Sequence, residues 1–296
     1  MAKSQLMEYV LKDIEQQKGV AIPVHASLFE RIMVTKTACK NLHPNSEDEF
    51  SMESVGPSYR IISEYETKFR DAMRMDKSPV DEPLMVEKLY PHGYLLLNGH
   101  HRWAAAMRCN IKKVPIKIIN CATESDIKTI LEKSQHDKRA TIDLDEVIFR
   151  SPDYKYLEKK AFIFPMSMRF KQRIRLGIPA LFYKLSKSGY DIWVYAADFY
   201  SIDDIQKFFK AYGVHVDGIL TGVAKQAQNK SASTARMNEL INNKYQMTLH
   251  IDNNTILETH GKNGDFEEYE INVPEEEWSR KAIAIVEEIE KRAGKK

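Results

Sequence analysis

Cysteine is scarce in this chain: its 296 residues include three, Cys39, Cys109 and Cys121. Their spacing gives no paired motif, so a disulfide framework is not indicated and a reducing, cytoplasmic location is expected. Long apolar runs are also missing, since none approaches the ~20 residues that a membrane span requires. The N-terminus has no recognisable signal peptide. The sequence therefore predicts no membrane partner.

Neither sign of charge is in excess. The chain has 44 basic and 42 acidic residues, which gives a formal net charge of +2. A protein that binds nucleic acid usually carries a basic excess that faces the phosphate backbone, and this chain does not. Nucleic acid is therefore not an expected partner.

The length and the motifs described below predict two α/β domains. We expect an amphipathic docking helix over residues 1–20, a first domain over 21–122, a linker helix over 123–138 and a second domain over 139–296. In the docking helix, Leu6, Val10 and Ile14 share one face. The stretch Leu42–Pro57 is polar and rich in turn residues, which predicts a loop beside the first site.

The stretch 94–106 carries the first candidate site. An apolar strand, Tyr94–Leu97, runs into Asn98 and Gly99, and an alanine-rich helix follows. Glycine permits a tight turn, and the helix directs unpaired N–H groups and a positive dipole end toward it. A phosphate group fits such a place, and arginine can hold it bidentately. The predicted phosphate-binding residues are Asn98, Gly99, His100, His101 and Arg102. The alternative is an ordinary strand-to-helix turn with incidental basic residues.

The pattern Gly99-x-x-Arg102-x-x-Ala105, with the order of strands around it, resembles the ParB/sulfiredoxin-like N-terminal domain over about residues 20–120. The resemblance implies an α+β nucleotide-binding fold whose branches differ in chemistry. Sulfiredoxins need a cysteine where this chain has His100, which argues against sulfur chemistry. Partition proteins bind CTP and DNA and continue into a helix-turn-helix, which is not recognisable here. The Gly-His-His-Arg version of the turn resembles the free-serine kinases.

The resemblance to the serine kinases implies further residues and ligands. Glu30 matches their catalytic base, and the nucleotide is expected to be ATP or ADP, with CTP as the alternative. A carboxylate that orients a hydroxyl and takes its proton suits phosphoryl transfer. Glu30 also fits a solvated surface position, and His100 and His101 fit packing as well as phosphate contact.

The second domain begins with a pair of carboxylates. A short apolar strand ends at Asp143, and Asp145 follows two residues later. Such a pair at a strand end suits Mg²⁺-assisted phosphoryl transfer, with one residue as nucleophile and the other as proton donor. Strands then alternate with helices, which predicts a parallel sheet whose carboxyl edge also holds Asp252. The alternative is an acidic turn without catalytic function.

These residues resemble the haloacid dehalogenase (HAD) superfamily over about residues 139–290, which implies a Rossmann-like domain with a parallel sheet. Asp143 matches the nucleophile and Asp145 the general acid/base. Lys230 matches the phosphate-binding lysine, with Lys225 as the second choice. The implied Mg²⁺ ligands are Asp143, Asp145 and Asp252. The chain departs from the superfamily pattern at Ala196, which replaces Ser or Thr, and at Asn253, which replaces a second Asp.

The interval between Phe149 and Ile192 is too short for a large inserted domain. It is expected to be helical and basic, forming either a solvated helix face or a rim that attracts phosphate. Its basic residues are Arg169, Lys171, Arg173 and Arg175.

These features predict a nucleotide-dependent kinase for a small, serine-like hydroxyl substrate, fused to a HAD-like phosphohydrolase. The alternative is a ParB-like regulatory module that binds CTP and engages DNA or a protein, with the HAD-like domain kept as a scaffold. The expected partners are the nucleotide and the small-molecule substrate, and a homodimer is compatible with the sequence.

Overall fold

The structure is a computed structural model that describes residues 3–159, 170, 172–223, 232–261 and 265–293. The chain divides into two compact units, Met1–Cys121 and Ala122–Lys296. Within the described residues, no helix is both long and apolar enough to cross a bilayer.

The first unit is a mixed sheet with helices. Its strands follow the order β2-β6-β4-β5-β3, and β1 pairs with β4. The helices are α1 (Lys3–Gln17), α2 (Leu28–Met33), α3 (Tyr59–Arg74) and α4 (His100–Arg108). The strands are β1 (Ile22–Pro23), β2 (Lys36–Ala38), β3 (Leu42–Pro44), β4 (Leu84–Tyr90), β5 (Tyr94–Asn98) and β6 (Lys113–Ile118).

The strand that leads into the first candidate site belongs to a hairpin. β4 and β5 are antiparallel, with Lys88 opposite Tyr94 and Met85 opposite Asn98. Helix α4 follows β5 directly, and its Trp103 and the following three alanines are fully buried. Small alanine side chains let a helix approach its neighbours closely, so α4 packs closely against the core of the first unit.

The segment Leu42–Pro57 is more ordered than the sequence predicts. It begins with β3, which is parallel to β5, and contains a 3₁₀ turn at Glu49–Ser51. Phe50 in this turn is 1% exposed and packs against the rings of His100 and His101. The loop prediction was therefore wrong for these two elements, because one buried aromatic side chain anchors an otherwise polar stretch.

The second unit contains a six-stranded sheet in the order β11-β10-β7-β12-β13-β14. Its helices are α5 (Glu124–Lys133), α6 (Ile178–Lys187), α7 (Ile202–Ala211), α8 (Ala232–Lys244) and α9 (Trp278–Ala293). Its strands are β7 (Lys138–Asp143), β8 (Phe149–Arg150), β9 (Arg173–Ile174), β10 (Tyr190–Ala196), β11 (Gly218–Thr221), β12 (Met247–Ile251), β13 (Thr255–His260) and β14 (Asp265–Glu270).

The sheet of the second unit is parallel only in part. Strands β11, β10, β7 and β12 are parallel neighbours, whereas β13 and β14 are added antiparallel. The central strands are buried on both faces, as the continuous apolar run Ile192–Tyr195 in β10 indicates. The prediction of a parallel sheet therefore holds for four strands, and the sheet as a whole is mixed.

The interval between Phe149 and Ile192 contains helix α6, but its described residues before Ile178 are not helical. Arg173 lies in β9, which forms a two-stranded antiparallel sheet with β8. The prediction of a helix was therefore wrong at this position. Arg169 and Lys171 lie outside the described residues.

Two helices expected at the domain borders have clear packing partners. Leu6 and Val10 of α1 are fully buried in the core of the first unit. Ile127 of α5 is fully buried in a cluster of the second unit with Trp193 and Ile241. Helix α5, which we expected as a linker, therefore packs as an element of the second unit.

Strand β14 ends the sheet of the second unit. It carries Asp265, Glu267, Glu268 and Glu270, and five of its six residues are exposed. Phe266 in this strand is also exposed, at 68%.

Candidate functional site

The turn between β5 and α4 has the geometry that the sequence predicts. Gly99 precedes α4 with a φ of 100°, in the left-handed region that favours glycine. A Cβ at this position would lie 2.5 Å from Cδ2 of Leu84. Asn98 ends β5 opposite Met85. The backbone therefore turns closely over β4 before the helix begins.

Arg102 folds back over the start of its own helix. Its Nη2 and Nε atoms lie 3.2 and 3.4 Å from the place where a Cβ of Gly99 would stand. Its Nη1 atom donates to Oε2 of Glu82 at 2.9 Å and to the Glu82 carbonyl oxygen at 3.2 Å. The guanidinium therefore lies beside the N–H groups that open α4, where a positive charge adds to the helix dipole.

His100 and His101 hold the preceding segment against α4. Nε2 of His100 accepts a hydrogen bond from the Asn45 N–H, and Nε2 of His101 accepts one from the Ser58 N–H. Burial lowers the pKa of His100 to about 4, and burial also lowers the pKa of His101. Both rings are therefore neutral near pH 7 and engaged with backbone.

Glu30 has partners of its own. Its carboxylate forms a capping box with Ser27 at the start of α2 and accepts from Nζ of Lys88 at 2.5 Å. The hydrogen bond from Lys88 is the main reason that the pKa of Glu30 falls to about 2, followed by those from Ser27. Lys88 lies opposite Tyr94, at the other end of the hairpin from Asn98. The structure thus groups Gly99 with Arg102 and leaves Glu30 paired with Lys88.

Asp143 ends the central strand of the second unit. Its Oδ1 atom accepts from the N–H groups of Asp145 and Glu146 at 2.9 and 2.8 Å. These bonds fold the chain into a single π-helical turn over Leu144–Ile148. Asp143 is 5% exposed. Its carboxylate is therefore held rigidly at the carboxyl end of the strand.

The Asp145 carboxylate turns toward the end of the neighbouring strand β10. Oδ2 accepts from the N–H groups of Ala197 and Asp198 at 3.0 and 3.2 Å, and Oδ1 accepts from the Tyr200 hydroxyl at 2.8 Å. Burial and this carboxylate raise the pKa of Tyr200, which keeps the phenol protonated as a donor. Asp145 thus binds the two residues that follow Ala196, the position where the sequence lacks a hydroxyl side chain.

Asp252 lies at the same sheet edge as Asp143. Ile142 of β7 is the parallel partner of Ile251 of β12, and each aspartate is the next residue along the chain. One oxygen of Asp252 accepts from the Asn253 N–H at 2.6 Å. In the part of the chain that the structure describes, no three metal-ligating side chains form a group that could hold a metal ion. Lys230 and Lys225 lie outside the described residues.

Two arginines bind Asn253, the residue after Asp252. The sequence did not predict this contact. Arg150 and Arg175 donate to Oδ1 of Asn253 at 2.9 and 3.0 Å. Arg175 is 2% exposed, stacks on Trp278 at 3.8 Å and pairs with Glu275. Burial lowers the pKa of Arg175 to about 10. For Arg175, the prediction of a solvated helix face was therefore wrong, because its side chain is buried.

Two comparisons with known proteins found a similarity to part of the chain. Residues 62–135 match the family model of the ParB N-terminal domain. No curated protein matches the chain. Among solved structures, the chain is similar to the C-terminally truncated chromosome-partitioning protein ParB from Caulobacter crescentus, complexed with CTP-gamma-S. The identity is 19% and the TM-score 0.24, and the match covers 34% of this chain and 54% of that one. The chain thus spans about half the length of that protein.

Proposed function

We propose that the first unit binds the phosphate groups of a nucleotide at the turn between β5 and α4. The observation that carries this proposal is the position of the Arg102 guanidinium over the start of α4, next to the left-handed Gly99. A helix N-terminus offers unpaired N–H groups to an anion, and a guanidinium adds two parallel donors. The match of residues 62–135 to the ParB N-terminal domain supports the same interpretation.

A binding or regulatory role fits this unit better than serine phosphorylation. The Glu30 carboxylate is engaged by Lys88 and Ser27, and a pKa near 2 makes it a weak proton acceptor at neutral pH. Nε2 of each histidine of the turn accepts from a backbone N–H, so this nitrogen is engaged within the protein. CTP is the first nucleotide to test, because the Caulobacter protein was solved with a CTP analogue. ATP and ADP are the comparison ligands.

Calorimetric titration of the full chain with CTP, ATP and ADP tests this proposal. We expect Arg102→Ala to weaken nucleotide binding about tenfold or more, because charge-assisted bonds to phosphate are lost. The matched control is Arg74→Ala, which removes an exposed arginine of α3 that pairs with Asp71. Absence of affinity for all three nucleotides in the wild type would contradict the proposal.

A second candidate function, for the second unit, is HAD-like phosphoryl transfer at the edge that carries Asp143. The observation that favours it is the pairing of β7 with β12, which brings Asp143 and Asp252 to the ends of adjacent strands. Asp143 would attack phosphorus as the bond to the leaving oxygen breaks. Asp145 would give that oxygen its proton, and the Tyr200 hydroxyl and two backbone N–H groups hold its carboxylate in place. Water would then attack the phosphorylated Asp143, with its proton going to Asp145, and the bond from phosphorus to Asp143 would break to release phosphate.

The residues at this edge that would hold Mg²⁺ are oxygen donors. Two carboxylates, Asp143 and Asp252, are supplemented by the backbone carbonyl of Asp145, and magnesium sites in proteins often have one or two carboxylates with oxygen ligands elsewhere. When bound there, Mg²⁺ would neutralise charge on the transferred phosphoryl group.

Hydrolysis of an aryl phosphate by the full chain, with and without Mg²⁺, tests this second function. Asp143→Asn should abolish hydrolysis, whereas Asp137→Asn, just before the other end of β7, should retain it. A wild-type protein without Mg²⁺-dependent hydrolysis would instead agree with a scaffold that has lost activity, as Ala196 in place of a hydroxyl residue suggests.

A further inference from the structure

One contact of Arg102 sets the orientation of its guanidinium. Nη1 donates twice to Glu82, once to the carboxylate at 2.9 Å and once to the carbonyl oxygen at 3.2 Å. Among the described residues, no other acceptor bonds to this guanidinium. Its rotation is therefore restrained by one residue, which lies in the segment before β4.

The opposite edge of the guanidinium faces the candidate site. Of the Arg102 atoms, Nη2 and Nε lie closest to the Cβ position of Gly99, at 3.2 and 3.4 Å. A planar guanidinium offers paired donors along each edge, and the edge that includes Nη1 is already engaged. The Nε–Nη2 edge therefore remains for bidentate contact with a phosphate beside the N–H groups of α4.

Solvent reaches the two partners unequally. The Arg102 side chain is 12% exposed, whereas the Glu82 side chain is 69% exposed. Because the Glu82 carboxylate is open to water and salt, which screen the ion pair, we expect the contact to have a small effect on folding. With Nη1 bonded to Glu82, it is Nη2 and Nε of Arg102 that lie near the start of α4.

We propose that Glu82 is a positioning residue of the nucleotide site, which holds Nη1 of Arg102 so that the Nε–Nη2 edge faces the start of α4. This inference rests on the proposed binding of nucleotide phosphate at the same turn. Glu82 touches Arg102 and acts on the ligand through it.

Two effects of removing Glu82 oppose each other. Its negative charge repels phosphate, so charge alone predicts tighter binding of the variant, by about twofold or less at an exposed, salt-screened position. Positioning predicts weaker binding, because an arginine that keeps only its bond to the residue 82 carbonyl is more mobile and must be immobilised on binding, which costs about two- to tenfold in affinity. We expect positioning to exceed repulsion, with a net loss of about threefold.

The experiment is a calorimetric titration of full-length variants with CTP and with ATP. Glu82→Ala should weaken binding about threefold, and Glu82→Gln should restore most of it, because an amide oxygen still accepts from Nη1. Glu82→Asp keeps the charge but shortens the side chain, so it should resemble Glu82→Ala. The matched control is Glu64→Ala, which removes an exposed glutamate of α3 that is paired with Arg60 at 2.6 Å. Its affinity should equal that of the wild type.

A double-mutant cycle separates positioning from a general structural effect. In an Arg102→Ala background, Glu82→Ala should cause no further loss of affinity. Equal or tighter binding by Glu82→Ala, or an equal loss in both backgrounds, would overturn the inference while leaving nucleotide binding intact. A wild-type protein with no affinity would overturn the proposed function and this inference with it. If circular dichroism shows that Glu82→Ala is unfolded, Glu82→Asp against Glu82→Gln decides the question.

Discussion

At Gly99 the backbone combines a positive φ with a close approach to β4. A Cβ there would meet Cδ2 of Leu84 at 2.5 Å, and the φ of 100° is one that other residues adopt at a cost. Strain and overlap act together at this position, so the turn tolerates glycine far better than any other residue.

We predict that Gly99→Ala lowers the free energy of unfolding by about 2–4 kcal/mol, from backbone strain and from overpacking against Leu84. The measurement is urea denaturation. Gly19→Ala is the control, because Gly19 has a φ of 71° with nothing within 4 Å of its Cβ position. Its loss should be about 1 kcal/mol. Equal losses in both variants would contradict a contact with Leu84.

We predict that protonation of His100 makes the free energy of unfolding depend on pH. Its pKa is about 4 in the folded protein, against 6.5 as the ordinary value. Between these values the unfolded state binds more protons, so the free energy of unfolding falls as the pH drops from 6.5 to 4. We expect His100 to contribute a loss on the order of 2–3 kcal/mol over this window.

Denaturation of His100→Gln at several pH values checks this expectation. The variant should show a shallower decline than the wild type below pH 6.5. His92→Gln, at an exposed position of the same unit, should keep the wild-type slope. Identical slopes for His100→Gln and the wild type would mean that the buried ring does not remain neutral.

Single residues differ in how far the sequence could predict their roles. Gly99 and Arg102 were predicted because both belong to one short turn pattern. Glu82 was not, since it lies 20 residues before Arg102 and carries no pattern of its own. Arg175 lies 78 residues before Asn253, and only the fold brings them together. A short sequence pattern was thus enough to predict the turn. Contacts between residues far apart in the sequence could be found only from the structure.

Among the elements, α1 shows how an amphipathic helix is anchored. Leu6 and Val10 are fully buried, and Asp13 receives a hydrogen bond from Nδ1 of His43 in β3 at 3.0 Å. Apolar contact and one polar contact therefore hold α1 on the sheet of the first unit.

We predict that Leu6→Ala lowers the free energy of unfolding by about 2–4 kcal/mol, because a cavity remains in the core. Glu8→Ala, on the exposed face of the same helix, should change it by less than about 0.5 kcal/mol. Chemical denaturation of the full chain measures both. A small effect of Leu6→Ala would show that α1 contributes little to the core.

The elements that the sequence missed share a physical cause. Helix α3 buries Ile62, Glu66 and Phe69, so a glutamate interrupts its apolar stripe. Glu66 is buried because Arg70 and Arg108 pair with it. Strands β13 and β14 extend the sheet in the antiparallel direction. Almost all residues of β14 are exposed, so its sequence lacks the alternation of apolar and polar residues that predicts a strand. Helix α5, with a regular pattern, lies at Glu124–Lys133, within the range of 123–138 expected for a helix.

On the scale of the whole molecule, charge balance limits the choice of partner. A net charge of +2 provides no broad excess of basic residues for a phosphate backbone. We predict that duplex DNA is not shifted by the protein in a gel at physiological ionic strength, with or without CTP. A shift that weakens steeply with salt would instead favour a DNA-binding regulator.

The acidic strand β14 has a consequence for self-association. An open sheet edge is a template for the same strand of another copy, and proteins often block such edges with charge. Pairing two copies of β14 would bring carboxylates from Asp265, Glu267, Glu268 and Glu270 opposite one another, at cross-strand distances of about 5 Å. Like charges at that distance repel, so we expect the charges of β14 to oppose extension of the sheet from copy to copy at neutral pH. We therefore expect a homodimer of this chain to use a surface other than the edge of β14.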